Sequence, residues 1–141
     1  MKEILSTIYD KLIGDTTLKT LLGYTDSNKN IVSFESLKDY GFSRMLLFGK
    51  LSADQFDEGL DTSDVRSYDM QIQAVDNINN ITVMNIMERV IALLHDYKLE
   101  EVSVMRSLKC EWERSLPVFY DNEINRYVGA IYFSLTISKL N

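Results

Sequence analysis

The 141-residue chain is long enough to bury one hydrophobic core, and its composition excludes several classes of protein. Apolar residues make up 45% and charged residues 26%, as in folded globular domains, while the net charge of −6 argues against a surface that reads nucleic acid, since such a surface needs clustered Lys and Arg. The single cysteine, Cys110, excludes an internal disulfide, and no stretch approaches the roughly 18 uncharged apolar residues of a membrane-spanning helix.

Two helices are predicted at the N-terminus. Over Lys2–Ile13 the apolar residues recur at helical spacing and share one face. Gly14 is suited to end this helix, and Asp15 is suited to cap the next one. The second helix is predicted over Thr16–Leu22, with Gly23 as its stop.

The segment that follows, residues 24–43, has the least pattern in the chain. It contains turn-forming residues, a run over Ile31–Phe34 that can form a short strand, and a stretch at 35–40 that can form a helical turn. The apolar run Met45–Leu51 predicts a strand interrupted at Gly49. Residues 52–64 include five acidic residues and no basic one, which predicts a loop or hairpin arm.

The centre of the chain combines a strand with a long helix. A regular alternation of apolar and polar residues predicts a strand over Val65–Val75 with one buried face. The polar turn at 76–80 offers N-caps to a helix predicted over Ile81–Tyr97. Its apolar arc of about 180° is wider than the roughly 100° stripe that seats a helix on one surface. We therefore expect the surplus, with Met84 and Leu93 at its margins, to contact the N-terminal helices or a second subunit.

Two further strands are predicted in the C-terminal third. Alternation runs over Leu99–Trp112, and Pro117 closes this strand. A polar turn at Tyr120–Glu123 leads to a last strand over Tyr127–Lys139, in which Gly129 indicates a bulge or a close backbone approach. The predicted order is α-α-β-β-α-β-β, an α+β domain with an antiparallel sheet of about four strands and helices packed on one face.

No pattern of residues indicates catalysis, a cofactor or a metal, so the sequence predicts a non-enzymatic protein. His95 is the only histidine, and Asp96 beside it points about 100° away on a helix, so we interpret His95 as a surface residue at a helix edge. Cys110 alternates with apolar neighbours, which favours a small buried side chain over a reactive thiolate. The acidic stretch 54–64 lacks the ligand order of an EF-hand loop, which favours a solvated loop.

Four stretches carry a resemblance to a known family. They are the short helix that ends at Leu21–Gly23, the strand Met45–Lys50, the alternating strand Tyr68–Asp76 that runs directly into the central helix, and the closing hairpin over Tyr120–Leu135. In this order, and over nearly the whole chain, they resemble the tail terminator proteins of long-tailed bacteriophages, also called tail completion or tail-to-head joining proteins.

The resemblance implies a non-enzymatic structural protein that spans residues 1–141 as one domain. It implies a ring, usually a hexamer, that ends the tail tube and presents the surface for the head connector or stopper protein, with DNA passing through the bore without sequence-specific binding. It also implies a place in the tail or neck of the virion after assembly in the host cytoplasm. Six copies carry −36 (6 × −6), which suits a passage to which DNA should not adhere.

Within this interpretation two charged regions are candidate interfaces. Acidic residues after the first long strand are expected to face the bore or a neighbouring ring: Asp54, Asp57, Glu58 and Asp61. Basic residues in and after the unpatterned segment are expected to meet a partner: Lys29, Lys38 and Arg44.

Two alternatives stay open from the sequence. One is another phage neck component, or the terminator of a contractile tail or of a phage-derived bacteriocin. The other is a monomeric α+β adaptor, which would stay monomeric at all concentrations, whereas a terminator would form rings.

Overall fold

The computed structural model describes residues 2–34, 41–53, 65–102 and 105–139. Three helices and seven strands follow one another in this part of the chain. In chain order they are α1 (Lys2–Ile13), α2 (Thr16–Leu22), β1 (Ile31–Ser33), β2 (Arg44–Ala53), β3 (Val65–Asp76), α3 (Asn80–Leu94), β4 (Tyr97–Val102), β5 (Met105–Ser115), β6 (Phe119–Asp121) and β7 (Arg126–Lys139).

The seven strands form a single mixed sheet. Its order is β1-β2-β3-β7-β5-β4, with β6 paired to β7. β1 runs parallel to β2, and the remaining pairs are antiparallel. The longest register joins β3 to β7, so these two strands form the centre of the sheet.

The α+β class is confirmed, but the predicted sheet of about four antiparallel strands and the predicted order are wrong. The stretch over Leu99–Trp112, predicted as one strand, belongs to β4 and β5, which fold back on each other with Val102 opposite Met105. The alternation of side chains continues through this reversal, so periodicity alone could not reveal it. The short strand that Ile31–Phe34 can form is present as β1, which makes the sheet mixed, and the three-residue β6 adds a further strand.

The bounds of α1 and α2 are confirmed, whereas the central helix is shorter than predicted. α3 begins at Asn80 with Asn79 as N-cap, and the Asn79 side chain accepts a hydrogen bond of 2.9 Å from Thr82 N. It ends at Leu94 because Asp96 has a left-handed φ of 60°, and Tyr97 already belongs to β4. The turn between α3 and β4 therefore begins inside the predicted helical repeat.

The three helices cover one face of the sheet and build the main core. This core joins apolar side chains of all three helices to one set of alternating strand residues, such as Ile72 on β3 and Phe133 on β7. A smaller cluster lies separately and consists of Met45, Leu47, Val75 and Val128, with half-buried Val32, Phe34, Phe42 and Ile124 around it. The second cluster shows that the other face of the sheet is apolar where β2, β3 and β7 lie side by side.

Two glycines allow the helices to approach the strands. A Cβ on Gly129 would overlap the Met87 sulfur and lie 3.0 Å from Val83 Cγ1, so α3 sits directly on β7. This close approach confirms the expectation for that glycine. Gly49 has a φ of 87° at a register shift between β2 and β3, and a Cβ there would overlap the Leu5 side chain of α1.

A carboxylate at the start of α2 joins the helices to each other. Asp15 accepts a hydrogen bond from Leu18 N at 2.8 Å and caps α2 as predicted. Its two oxygens also accept hydrogen bonds from Arg89 of α3, at 2.8 Å from Nε and 2.6 Å from the terminal nitrogen. The hydrogen bond from Arg89 lowers the pKa of Asp15.

Candidate functional site

The structure describes two of the seven predicted interface residues. Asp54, Asp57, Glu58, Asp61 and Lys38 lie outside the described residues. Lys29 is exposed in the turn before β1, and Arg44 is the first residue of β2. Contact with a partner stays a prediction for all seven.

Arg44 has a clear role inside the fold. Its Nε donates to Asp76 Oδ1 at 3.0 Å, and a terminal nitrogen donates to the Leu21 carbonyl at 3.0 Å. Asp76 is 1% exposed and also accepts hydrogen bonds from the backbone of Ile78 at 3.2 Å and Asn79 at 2.9 Å. The ion pair thus ties the end of α2 to the turn that begins α3.

The structure places Cys110 in the main core and His95 at the end of α3. The Cys110 side chain is fully buried, and this burial raises the pKa of its thiol to about 12, so the interpretation as a small buried side chain is confirmed. His95 is exposed at the end of α3, and its Nδ1 accepts a hydrogen bond of 3.1 Å from Trp112 N. Its Nε2 lies 3.5 Å from Asp96 Oδ2. Among the described residues, no group of three or more His, Cys, Asp or Glu is placed to hold a metal ion.

The exposed large hydrophobic side chains of the described residues lie in two segments only. One is the start of α3 with the turn before it, and the other runs from the end of β5 into β6. We call this surface the apolar strip, and its members are Ile78, Ile81, Met84, Trp112, Leu116, Phe119 and Tyr120.

A groove connects the two halves of the apolar strip. Its volume is about 370 Å³, and it lies between Met84, Met87 and Ile91 on α3 and the segment 115–118. Ile81 stands one helical turn before Met84, and β6 follows the groove directly along the chain. Tyr120 lies opposite Tyr127 on the helix side of β6, whereas Phe119 lies opposite Val128 of the second cluster and points to the other side. The strip therefore runs from the groove to the edge strand β6, which its two aromatic rings flank.

The strip also coincides with an open edge of the sheet. β4 pairs with β5 only as far as Cys110, and within the described residues no strand pairs with the outer side of β5 beyond that point or with the outer side of β6. Leu116 N donates to the Ala130 carbonyl at 2.9 Å and holds the connection against β7. Exposed aromatic residues on an unpaired edge strand are a surface that another chain can cover.

The sequence contained one signal for this surface. The apolar arc of the central helix was wider than one contact requires, and its two margins have different surroundings. Leu93 is half-buried against the main core, whereas Met84 is 48% exposed in the strip. The contribution of residues 112–120 was missed, because exposure at a strand end depends on which neighbouring strand stops short.

A solved structure shares this fold. A chain in the virion of a native gene transfer agent (GTA) particle matches with a TM-score of 0.72 and 15% sequence identity, over 93% of this chain and 91% of that chain. No protein-family model matches the sequence, and no curated protein matches it. The likeness therefore shows that the α+β fold described above also occurs in a virion chain.

None of the helices in the described part of the chain has the length and apolar character needed to cross a bilayer.

Proposed function

We propose that this chain is the tail terminator of a long-tailed phage or phage-like particle. It forms a ring, as a hexamer, that ends the tail tube and presents the docking surface for the head connector. The observation that supports this proposal most directly is the fold likeness to a GTA virion chain over 93% of the present chain, which supports a structural role in a phage-like particle.

The exposed apolar side chains are consistent with a protein that acts by binding other proteins. Exposed large apolar side chains on monomeric proteins are usually scattered, whereas a group of them around a groove and an open sheet edge is typical of a protein–protein contact. The apolar strip therefore supports assembly with other chains, either copies of itself or components of the tail.

Charge is consistent with the passage of DNA through the ring. A subunit charge of −6 gives −36 for six copies (6 × −6), which repels phosphate groups and disfavours adhesion of DNA to the bore. In this proposal the protein is one domain, acts in the tail or neck of the virion after assembly in the host cytoplasm, and contacts DNA without reading its sequence.

The test measures assembly and location together. Light-scattering mass and negative-stain images of the purified protein are expected to show closed rings, either alone or after addition of tail tubes made from the tube protein of the same particle. The rings are expected at one end of each tube, and tubes assembled in their presence are expected to stop growing.

Two outcomes would contradict the proposal. Binding along the side of the tube, or to a sheath, would favour another neck or contractile-tail component. A protein that stays monomeric at all concentrations and ignores tube ends would favour the monomeric adaptor.

A further inference from the structure

The apolar strip has the size of the apolar part of a protein–protein interface. Trp112, Phe119 and Tyr120 are 41%, 51% and 44% exposed. The four aliphatic members are 39–73% exposed. With about 150–250 Å² for a whole aromatic side chain and about 100 Å² for a whole aliphatic one, these exposed fractions amount to roughly 500 Å². A standard interface takes about 800 Å² from each partner, of which about 60% is apolar. The strip therefore matches one side of a standard interface.

The surroundings of the strip are acidic. Residues 78–91 and 112–125 contain four acids and two bases, a net charge of −2 (2 − 4). Glu88 lines the groove, and Glu123 is exposed in the turn after β6. Of the two bases, Arg89 pairs with Asp15, and Arg114 is 4.4 Å from the centre of the Tyr132 ring, so its guanidinium stacks on that ring. A partner that covers the strip should have basic residues at matching positions.

The β1 edge of the sheet has a net positive charge, opposite in sign to the surroundings of the strip. Residues 16–34 lead into β1 and contain two lysines and one acid, a net charge of +1 (2 − 1) within a chain of −6. Lys29 is exposed two residues before β1, and Lys19 is half-exposed in the last turn of α2. Val32 and Phe34 at this edge are half-buried, so they add apolar surface beside the lysines.

Hydrogen bonds join the end of α2 to the turn before β1. The Asn30 amide nitrogen donates to the Leu22 carbonyl at 2.7 Å and to the Arg44 carbonyl at 2.9 Å. Asn28 donates from its side chain to the Gly23 carbonyl at 2.8 Å. The end of α2, the turn that contains Lys29 and the start of β2 are thus joined by hydrogen bonds.

From these two edges we infer a head-to-tail contact between copies of this chain. The apolar strip of one copy is covered by the β1 edge of the next, with Glu88 and Glu123 facing Lys19 and Lys29. β1 ends the strand order on one side, whereas β5 and β6 both pair with β7 on the far side of the central strands, so each copy offers one surface to each neighbour. A contact between two different surfaces closes into a ring when its rotation fits. The inference rests on the proposed ring and names the surfaces that form it.

Charge exchange tests the contact with variants that rescue one another. Reversing the acids (E88K with E123K) and reversing the lysines (K19E with K29E) are each expected to weaken association by at least about tenfold at low salt, because like charges then face each other. The fourfold variant restores opposite charges and is expected to associate within about threefold of the original protein. Mass photometry across a concentration series measures these constants.

A second pair of variants tests the apolar part. Met84→Glu places a charge in the groove and is expected to leave monomers, whereas Ala92→Glu adds the same charge to an exposed position of α3 outside the strip and is expected to keep the assembly. Circular dichroism and thermal midpoints confirm that both variants fold.

The outcomes separate this contact from the proposed function. Rings that survive M84E and both charge reversals would overturn the contact and leave the tail-terminator proposal standing. The contact would also be overturned if both charge-reversal variants lost association and the fourfold variant did not recover it. A dimer whose association is unaffected by the lysine reversal would overturn it as well. A protein that stays monomeric even with tail tubes present would overturn both proposals.

Discussion

The close contact of α3 with β7 gives a quantitative test of the core. Gly129 lies opposite Ala74 in the centre of the sheet, and the Met87 side chain occupies the space above it. In Gly129→Ala the new methyl group overlaps the Met87 sulfur and lies 3.0 Å from Val83 Cγ1. Overpacking of this kind costs about 1–3 kcal/mol. Loss of the extra freedom of glycine in the unfolded chain offsets about 0.5–1 kcal/mol. We therefore expect a net loss of about 1 kcal/mol in the free energy of unfolding, within a range of about 0–2.5 kcal/mol.

A double-mutant cycle isolates the cause. Met87→Ala alone leaves a cavity and should cost about 2–3 kcal/mol, near the lower end for buried methionine, because Met87 is 7% exposed. In the double variant the methyl group introduced at position 129 enters the space that Met87 vacates, so the two costs should fall short of additivity by at least about 1 kcal/mol.

Urea unfolding followed by circular dichroism measures all four proteins of the cycle. Ser134→Ala on the same strand serves as the control: its neighbours Phe133 and Leu135 belong to the main core, so Ser134 points to the other face of the sheet. Its expected effect is within about 0.5 kcal/mol. Additive costs, or a stabilising Gly129→Ala variant, would refute the packing of Met87 on this glycine.

Three further predictions concern two carboxylates that pair with arginines, Asp76 and Asp15, and the buried Cys110. Asp76→Asn removes the charge that Arg44 and two backbone amides bind, and it should lower the free energy of unfolding by about 1.5–3 kcal/mol in urea titrations. An unchanged unfolding midpoint would contradict a stabilising role for these three hydrogen bonds. Because Arg89 lowers the pKa of Asp15, this pair stabilises the fold above the unfolded pKa of about 4, and the stabilisation is lost as pH falls through the lower folded pKa. The stability difference between the original protein and Arg89→Gln should therefore be full near pH 6 and shrink towards pH 3, whereas a constant difference would exclude the ion pair. With its pKa raised to about 12, Cys110 should react with a thiol reagent at pH 8 far more slowly in the folded protein than in urea, as followed by absorbance; equal rates would contradict its burial.

Local signals in the sequence predicted the helices well. α1 and α2 have the predicted bounds because each combines a periodic apolar face with a residue that stops or caps it, as Asp15 and Gly23 do for α2. The end of α3 was missed for a related reason. The apolar spacing continues to Tyr97, but the left-handed backbone at Asp96 turns the chain before that residue, and Tyr97 is already the first residue of β4.

The sheet was less predictable because its pairing is not local. Alternation identifies strand residues but does not show where a run reverses, so the β4–β5 hairpin had the pattern of one long strand. The parallel pairing of β1 with β2 depends on Ile31 lying opposite Leu46, fifteen positions further along. No pattern within either segment specifies that contact.

The sequence alone could not distinguish the apolar strip from the core. A core residue and an interface residue have the same chemistry, and the spacing of α3 placed Met84 and Val83 in one apolar arc. The structure separates them, since Val83 is fully buried above β7 and Met84 is half-exposed beside the groove. Substitution of Val83 by Ala should therefore lower stability by about 1 kcal/mol or more at any concentration, because a cavity remains in the folded monomer. Substitution of Met84 by Ala should leave the monomer's unfolding midpoint nearly unchanged and weaken only assembly, so its effect should disappear on dilution. If Met84→Ala instead destabilises the diluted monomer as much as Val83→Ala, then Met84 belongs to the core, and the strip loses its central residue as a contact surface.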